Sequence, residues 1–166
     1  MKLWGVTGWK NTGKTTLMER LVNEFTARGM TVSTLKHAHH AFDIDQPGRD
    51  SHRHRMAGAH QVVVGSEARW ALMTELRDAP EPGLDRLLAA LDPVDLALVE
   101  GWKTAPHPKV ECWRAGTAQP PRAGTDRTVR ALATDATAAM TGLKLPVFEL
   151  TDTDAIADFI ARELRL

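Results

Sequence analysis

The segment Gly8-Trp9-Lys10-Asn11-Thr12-Gly13-Lys14-Thr15 carries two glycines, a lysine and a hydroxyl residue at the offsets of a phosphate-binding loop. Gly8 and Gly13 let the backbone wrap closely around phosphate oxygens. The successive N–H groups, and the N-terminus of a helix that follows, present positive potential to those oxygens. Lys14 then reaches the β- and γ-phosphates, and the Thr15 hydroxyl is placed to ligate Mg²⁺. An apolar run stands before the loop and a helical pattern after it, so the segment is more than a glycine turn between two elements. It points to a nucleotide-binding protein.

A loop of this kind usually works opposite a carboxylate at the end of an apolar strand, which helps hold Mg²⁺ and its water. Glu100 fills that position, although a polar residue where a strand meets solvent explains it equally well from the strand pattern. Six of the seven histidines fall between His37 and His60, and His37, His39 and His40 are followed by Asp43 and Asp45. Imidazole with carboxylate suits zinc or nickel, but imidazoles beside a phosphate loop also donate to an anionic ligand, and contact with phosphate or substrate is the preferred reading. Arg49 and Arg53 stand one helical turn apart, placed to grip a second phosphorylated ligand or to form a solvated basic face. Lys103 and Lys109, either side of Pro106-His107-Pro108, leave the same two options open. Of five tryptophans, Trp4, Trp70 and Trp113 sit inside strand patterns and are expected in the core, whereas Trp9 and Trp102 fall in loops where they would cover the site or a partner surface.

These residues need elements to hold them. Residues 2–7 read as a short strand, and Leu17, Leu21, Val22 and Phe25 recur at helical spacing until Gly29. Residues 30–35 form a second β-branched strand that delivers Lys36 and His37 to its carboxyl end. The spacing predicts a surface loop over 38–48, a short helix over 50–59, and strands over 59–64 and 69–74 that make a hairpin added to the parallel core. A helix follows from Leu84, Leu87, Leu88 and Leu91, then a deeply apolar strand over 94–99. Residues 109–113, 129–134 and 146–150 read as further strands, with a mobile loop over 116–127. Asp152 or Thr153 caps a last helix carrying Ile156, Phe159, Ile160 and Leu164. The elements predict an α/β fold of the P-loop NTPase type: a mostly parallel sheet flanked by helices, with the added hairpin and further strands, in one domain over 1–166.

With 166 residues and 43% hydrophobic content, the chain supports one sizeable core. Lysine plus arginine balance aspartate plus glutamate at 21 each, so no global field draws the protein onto nucleic acid or anionic lipid. Cys112 is the only cysteine, which excludes an intrachain disulfide and any Cys-x-x-Cys motif. The start at Met1-Lys2 runs straight into the first strand, and no apolar stretch approaches the ~20 residues of a membrane span. A cytoplasmic protein without nucleic-acid or membrane partners is the expectation.

The loop Gly8 to Thr16, the segment Lys36-His37-Ala38-His39-His40, the run Asp43-x-Asp45-x-Pro47-Gly48-x-Asp50-Ser51, Ala57-Gly58-Ala59, Arg69 to Glu75 and Val99-Glu100-Gly101-Trp102-Lys103 together resemble the molybdopterin-guanine dinucleotide biosynthesis protein B (MobB) family over essentially the whole chain. The resemblance implies a GTP-binding adapter, with weak GTP hydrolysis at most, that assists the guanylyltransferase attaching GMP to molybdopterin. It also implies a homodimer, and raises molybdopterin itself as a further ligand. Carried onto this chain, Lys10, Asn11, Thr12, Gly13, Lys14, Thr15 and Thr16 bind phosphates, and Thr15 with Glu100 serves Mg²⁺. Lys36, His37 and Asp50 line the same cleft, with His39, His40, Arg49, Arg53, Trp102 and Lys103 as substrate or partner contacts. Trp102 stands where the family commonly has phenylalanine. Asp135, at the end of a late strand, is placed to accept from guanine N1 and N2, although no Asn-Lys-x-Asp motif is present. No catalytic residue is assigned. A small-molecule kinase gripping its acceptor with Arg49 and Arg53, and a metallochaperone GTPase using the histidines, are the competing readings; the segments shared with the family weigh against the first, and the missing motifs against the second.

Overall fold

The computed structural model describes residues 1–38 and 42–166, which divide into two compact units: Met1–His37 with Leu84–Leu166, and Ala38–Gly83. The element order is β1 (Lys2–Gly8), α1 (Lys14–Ala27), β2 (Val32–Lys36), α2 (Asp50–Met56), β3 (Gln61–Gly65), β4 (Trp70–Thr74), α3 (Leu84–Leu88), β5 (Leu96–Glu100), β6 (Lys109–Trp113), β7 (Val129–Thr134), β8 (Val147–Glu149) and α4 (Thr153–Leu164).

The first unit is built on a six-stranded sheet in the order β2-β5-β1-β6-β7-β8, with every neighbouring pair parallel. A parallel sheet is covered on both faces, so its central strands run continuously apolar; Leu96, Ala97, Leu98 and Val99 of β5 are fully buried. One face packs Trp4, Val6, Leu98 and Val110 against Leu17, Leu21 and Phe25 of α1 and Ile156 and Ile160 of α4. On the other, Leu35, Ala97 and Val99 meet Leu84, Leu87, Leu88 and Leu91, and Trp113, Val129 and Leu132 form a separate cluster with Met140 and Leu143. Asp152 caps α4, its Oδ1 accepting from the Ala155 N–H at 3.2 Å.

The β5 to β6 connection carries the chain from one side of β1 to the other in eight residues. It does so by passing close over Gly5, whose N–H donates to the Pro108 carbonyl at 2.9 Å. The His107 ring lies against Gly5, and a Cβ there would stand 2.5 Å from its Nε2. His107 is buried, and neither ring nitrogen has a hydrogen-bond partner among the described residues. Burial, assisted by the nearby Lys109 ammonium, pulls its pKa down to about 4. Lys109 is a correction to the sequence reading: it neither grips a ligand nor faces solvent, being fully buried. Its ammonium donates to the Ala105 carbonyl at 2.6 Å and the Thr128 hydroxyl at 2.7 Å, so that a buried cation is paid for by hydrogen bonds.

The segment 116–127, expected as a mobile loop, is irregular in path but tethered. Arg122–Gly124 forms a 3₁₀ turn, and the buried Glu111 carboxylate accepts from the Arg122 and Ala123 N–H groups at 3.0 and 2.8 Å. The indoles of Trp9 and Trp113 donate to the carbonyls of Pro120 and Gln119. Side chains distant in sequence thus pin a segment whose own composition reads as loop.

In the second unit, β3 and β4 pair antiparallel as a two-stranded sheet of their own, not as an addition to the parallel one. Arg55 of α2 organises this unit: its guanidinium engages both Asp43 oxygens at 2.9 Å and Glu75 at 3.2 Å. The paired guanidinium holds the Asp43 carboxyl down at about 2. Trp70, expected in the core, is 66% exposed. It shares a face with Val63 and Leu72, because Val63 pairs with Leu72 and Gly65 with Trp70.

Candidate functional site

The phosphate loop lies between the end of β1 and the start of α1, at the middle of the parallel sheet. Its shape is encoded in its glycines. Gly8 has φ +139, and a side chain there would collide with the Cys112 carbonyl oxygen of β6. Asn11 adopts φ +63 and Gly13 φ +98, conformations that Asn and Gly tolerate best. Thr12 closes the loop on itself, its hydroxyl donating to the Trp9 carbonyl at 2.9 Å. Gly13 is the N-cap of α1 and no side chain among the described residues caps this end, so the first N–H groups of the helix point to the loop with their partial positive charge.

Around this loop the structure gathers Lys14, Thr15, Lys36, Glu100 and Lys103. Lys14 bonds the Trp9 carbonyl at 2.6 Å, and partial burial lowers its pKa while Glu100 opposes the shift. The Thr15 hydroxyl donates to Glu100 Oε1 and Oε2 at 3.2 and 3.3 Å. Glu100 is 9% exposed and faces Lys36 at 3.7 Å; β2 and β5 pair so that Lys36 and Glu100 are register partners. The His37 N–H donates to the Glu100 carbonyl, and the His37 ring meets Trp102 with centroids 5.0 Å apart. Trp102 takes φ +41, a strained conformation for an aromatic residue. Lys103 stands 4.7 Å over the Trp9 ring. Three ammonium groups, a row of free helix N–H donors and a hydroxyl paired with a carboxylate make a site whose chemistry fits a polyphosphate and a hard divalent cation. Lys10 and Thr16 are exposed at the two ends of the loop. Cys112, beneath the loop, is fully buried, and burial pushes its thiol up to about 12.

Asp135 lies beyond β7, on the other side of β1 from Glu100. Its Oδ1 accepts from the Ala115 N–H at 3.0 Å and its Oδ2 faces the Arg114 guanidinium at 3.5 Å. Arg114 is the residue that the sequence reading missed; a Cβ on Gly13 would stand 3.6 Å from its Nη2. The available signal was its place immediately after β6, where Glu100 and Asp135 also end or follow parallel strands. Arg49, Asp50 and Arg53 belong to the second unit. There Arg49 is the N-cap of α2 and Arg53 pairs with Asp50 at 3.7 Å. His39 and His40 lie outside the described residues, and among the described residues no group of three or more histidine, cysteine or acidic side chains is arranged to hold a metal ion.

A family description, "Molybdopterin guanine dinucleotide synthesis protein B" (MobB), matches residues 3–135. The chain belongs to the MobB family. It is 39% identical over 161 residues to the molybdopterin-guanine dinucleotide biosynthesis adapter protein of Escherichia coli K12, covering 95% of this chain and 90% of that one. The crystal structure of Bacillus subtilis MobB superposes with a TM-score of 0.77 at 27% identity, over 99% of this chain and 98% of that one. A MobB homologue from Bacillus stearothermophilus gives 0.72 at 30% identity, over 99% of both chains. MobB membership implies the nucleotide and Mg²⁺ binding typical of P-loop NTPases and a functional link to the guanylyltransferase of molybdenum cofactor synthesis. No helix among the described residues is long and apolar enough to cross a membrane.

Proposed function

We propose that this chain, a MobB adapter of molybdopterin-guanine dinucleotide biosynthesis, holds GTP with Mg²⁺ on the β1–α1 loop and supplies it to the guanylyltransferase. The observation that carries this reading is the convergence of Lys14, Thr15, Glu100 and Lys36 at the carboxyl ends of β1, β5 and β2. Gly13, the free N–H groups of α1 and Lys14 receive the β- and γ-phosphates. Thr15 would ligate Mg²⁺ and Glu100, already hydrogen-bonded to Thr15, would hold the metal or its water. Lys36 and Lys103 balance the remaining phosphate charge, and Trp9, under Lys103, shields the loop.

Fast hydrolysis needs a group that positions the attacking water and a cation that stabilises the transition state. Among the described residues none is assigned the first role; turnover by the isolated protein is expected to be slow, and the useful event is retention and delivery of nucleotide. The protein acts as a homodimer in the cytoplasm. Val63, Leu72 and Trp70 form an exposed apolar face, at 65%, 45% and 66% exposure, on a two-stranded sheet whose edges need cover. The test is guanylylation of molybdopterin by the guanylyltransferase at limiting GTP. Added wild-type protein raises the rate and Lys14→Ala does not. No effect of the wild-type protein, or rapid phosphoryl transfer to a small acceptor by the protein alone, contradicts the adapter reading.

A further inference from the structure

Resting on the reading that a guanine nucleotide occupies the β1–α1 loop, the geometry points to Arg114 as the residue that distinguishes guanine from adenine, with Asp135 as the residue that positions it. The direction of the nucleotide follows from the sheet. The loop leaves β1, and the metal-binding pair Thr15 and Glu100 lies with Lys36 on the β5 and β2 side of that strand. With the metal and the terminal phosphates there, the remainder of the nucleotide runs the other way, toward the carboxyl ends of β6, β7 and β8. Three residues stand at those ends: Arg114, Asp135 and Leu150. A Cβ on Gly13 would meet two of them, Leu150 Cδ2 at 3.1 Å and Arg114 Nη2 at 3.6 Å. The guanidinium is therefore beside the first turn of α1 on the side to which the nucleoside must project.

Asp135 is committed elsewhere. One carboxylate oxygen takes the Ala115 N–H and the other faces Arg114. The turn after β6 is fixed further by the Thr117 N–H on the Arg114 carbonyl at 2.9 Å and by the Trp113 indole on the Gln119 carbonyl. Arg114 is thus held at its backbone and at its charge, while its side chain is 48% exposed and has donors to spare. A guanidinium presents a planar fork of donors. Guanine offers two acceptors, O6 and N7, that such a fork matches, whereas adenine presents an amino donor at position 6. Arginine after β6 reads the acceptor edge of the purine, which accounts for base selection in a chain with no Asn-Lys-x-Asp motif.

Equilibrium titration with GTP, ITP and ATP in the presence of Mg²⁺ tests this. ITP keeps O6 and N7 and lacks only the 2-amino group. The wild-type protein is expected to bind GTP and ITP within about threefold of each other and ATP about tenfold or more weakly, the scale set by unpaired donors in the wrong complex. Arg114→Ala brings GTP down to the affinity of ATP and leaves ATP unchanged. Arg114→Lys, which keeps the charge without the fork, also loses the preference, and Asp135→Asn reduces it. Thermal melts identify any variant that is not folded, and the lysine variant then carries the test. ITP bound as weakly as ATP would mean that the 2-amino group is read, as by an Asp135 carboxylate, and overturns the inference. So does an equal loss of GTP and ATP in Arg114→Ala, which marks a phosphate contact. Equal binding of GTP and ATP by the wild-type protein overturns it while leaving the loop assignment standing; absence of binding by all three overturns both.

Discussion

Glu100 shows how one residue serves two ends of the site, because its carboxylate holds Thr15 while its carbonyl takes the His37 N–H. Glu100→Gln keeps the shape and removes the charge that a divalent cation needs. It is expected to weaken nucleotide binding with Mg²⁺ by about tenfold, the effect of one charge-assisted contact, and to leave binding without Mg²⁺ nearly unchanged. Titrations with and without the metal check this, and equal losses would place Glu100 outside the metal site. His107 offers a test by pH. Its ring charges near pH 6.5 in the unfolded chain but only near about 4 when folded, so between these values the unfolded chain binds more protons. Stability is then full above about pH 6.5 and falls as pH drops toward 4. In urea titrations at pH 7 and 4.5 the wild type is expected to lose roughly 2 kcal/mol more than His107→Gln, and parallel losses would count against burial of the ring. Lys14, Thr15 and Glu100 were legible in the sequence because a loop spacing and a strand end are local patterns. Lys109, Trp70 and Arg114 were not, because burial, exposure and nearness to the loop are decided by strands far apart in the chain.

At the scale of elements, the short crossover between β5 and β6 decides whether β1 can be flanked on both sides. It depends on the missing side chain of Gly5, against which His107 packs. Gly5→Ala is expected to destabilise by about 1–3 kcal/mol, the usual effect of overpacking, and His107→Ala is expected to recover part of that loss. A double-mutant cycle measures the coupling, and strictly additive effects would contradict the contact. The strands over 109–113 and 129–134 were legible to the residue because their apolar runs are bounded by clear turns. The order 116–127 gains was not, because it comes from Glu111, Trp9 and Trp113 and not from the segment's own residues. The hairpin was legible as a hairpin through its alternating pattern. That it forms a sheet of its own was not, since no local signal distinguishes an edge pair from a separate sheet.

For the whole molecule, balanced charge and an exposed apolar face favour association with a second protein chain over nucleic acid. Light scattering at micromolar concentration is expected to give the mass of two chains for the wild type and of one for Trp70→Glu combined with Val63→Glu; a single-chain wild type would refute the dimer. The central claim, that the loop after β1 is the seat of the nucleotide, is tested most directly by calorimetric titration of GTP with Mg²⁺ into the wild-type protein and Lys14→Ala. The one hydrogen bond of the Lys14 ammonium among the described residues goes to a loop carbonyl, so its removal is expected to leave the melting temperature nearly unchanged. GTP affinity is expected to fall by roughly 1.5–3 kcal/mol, the contribution of a hydrogen bond to a charged group. A folded Lys14→Ala protein that binds GTP as tightly as the wild type would contradict the assignment.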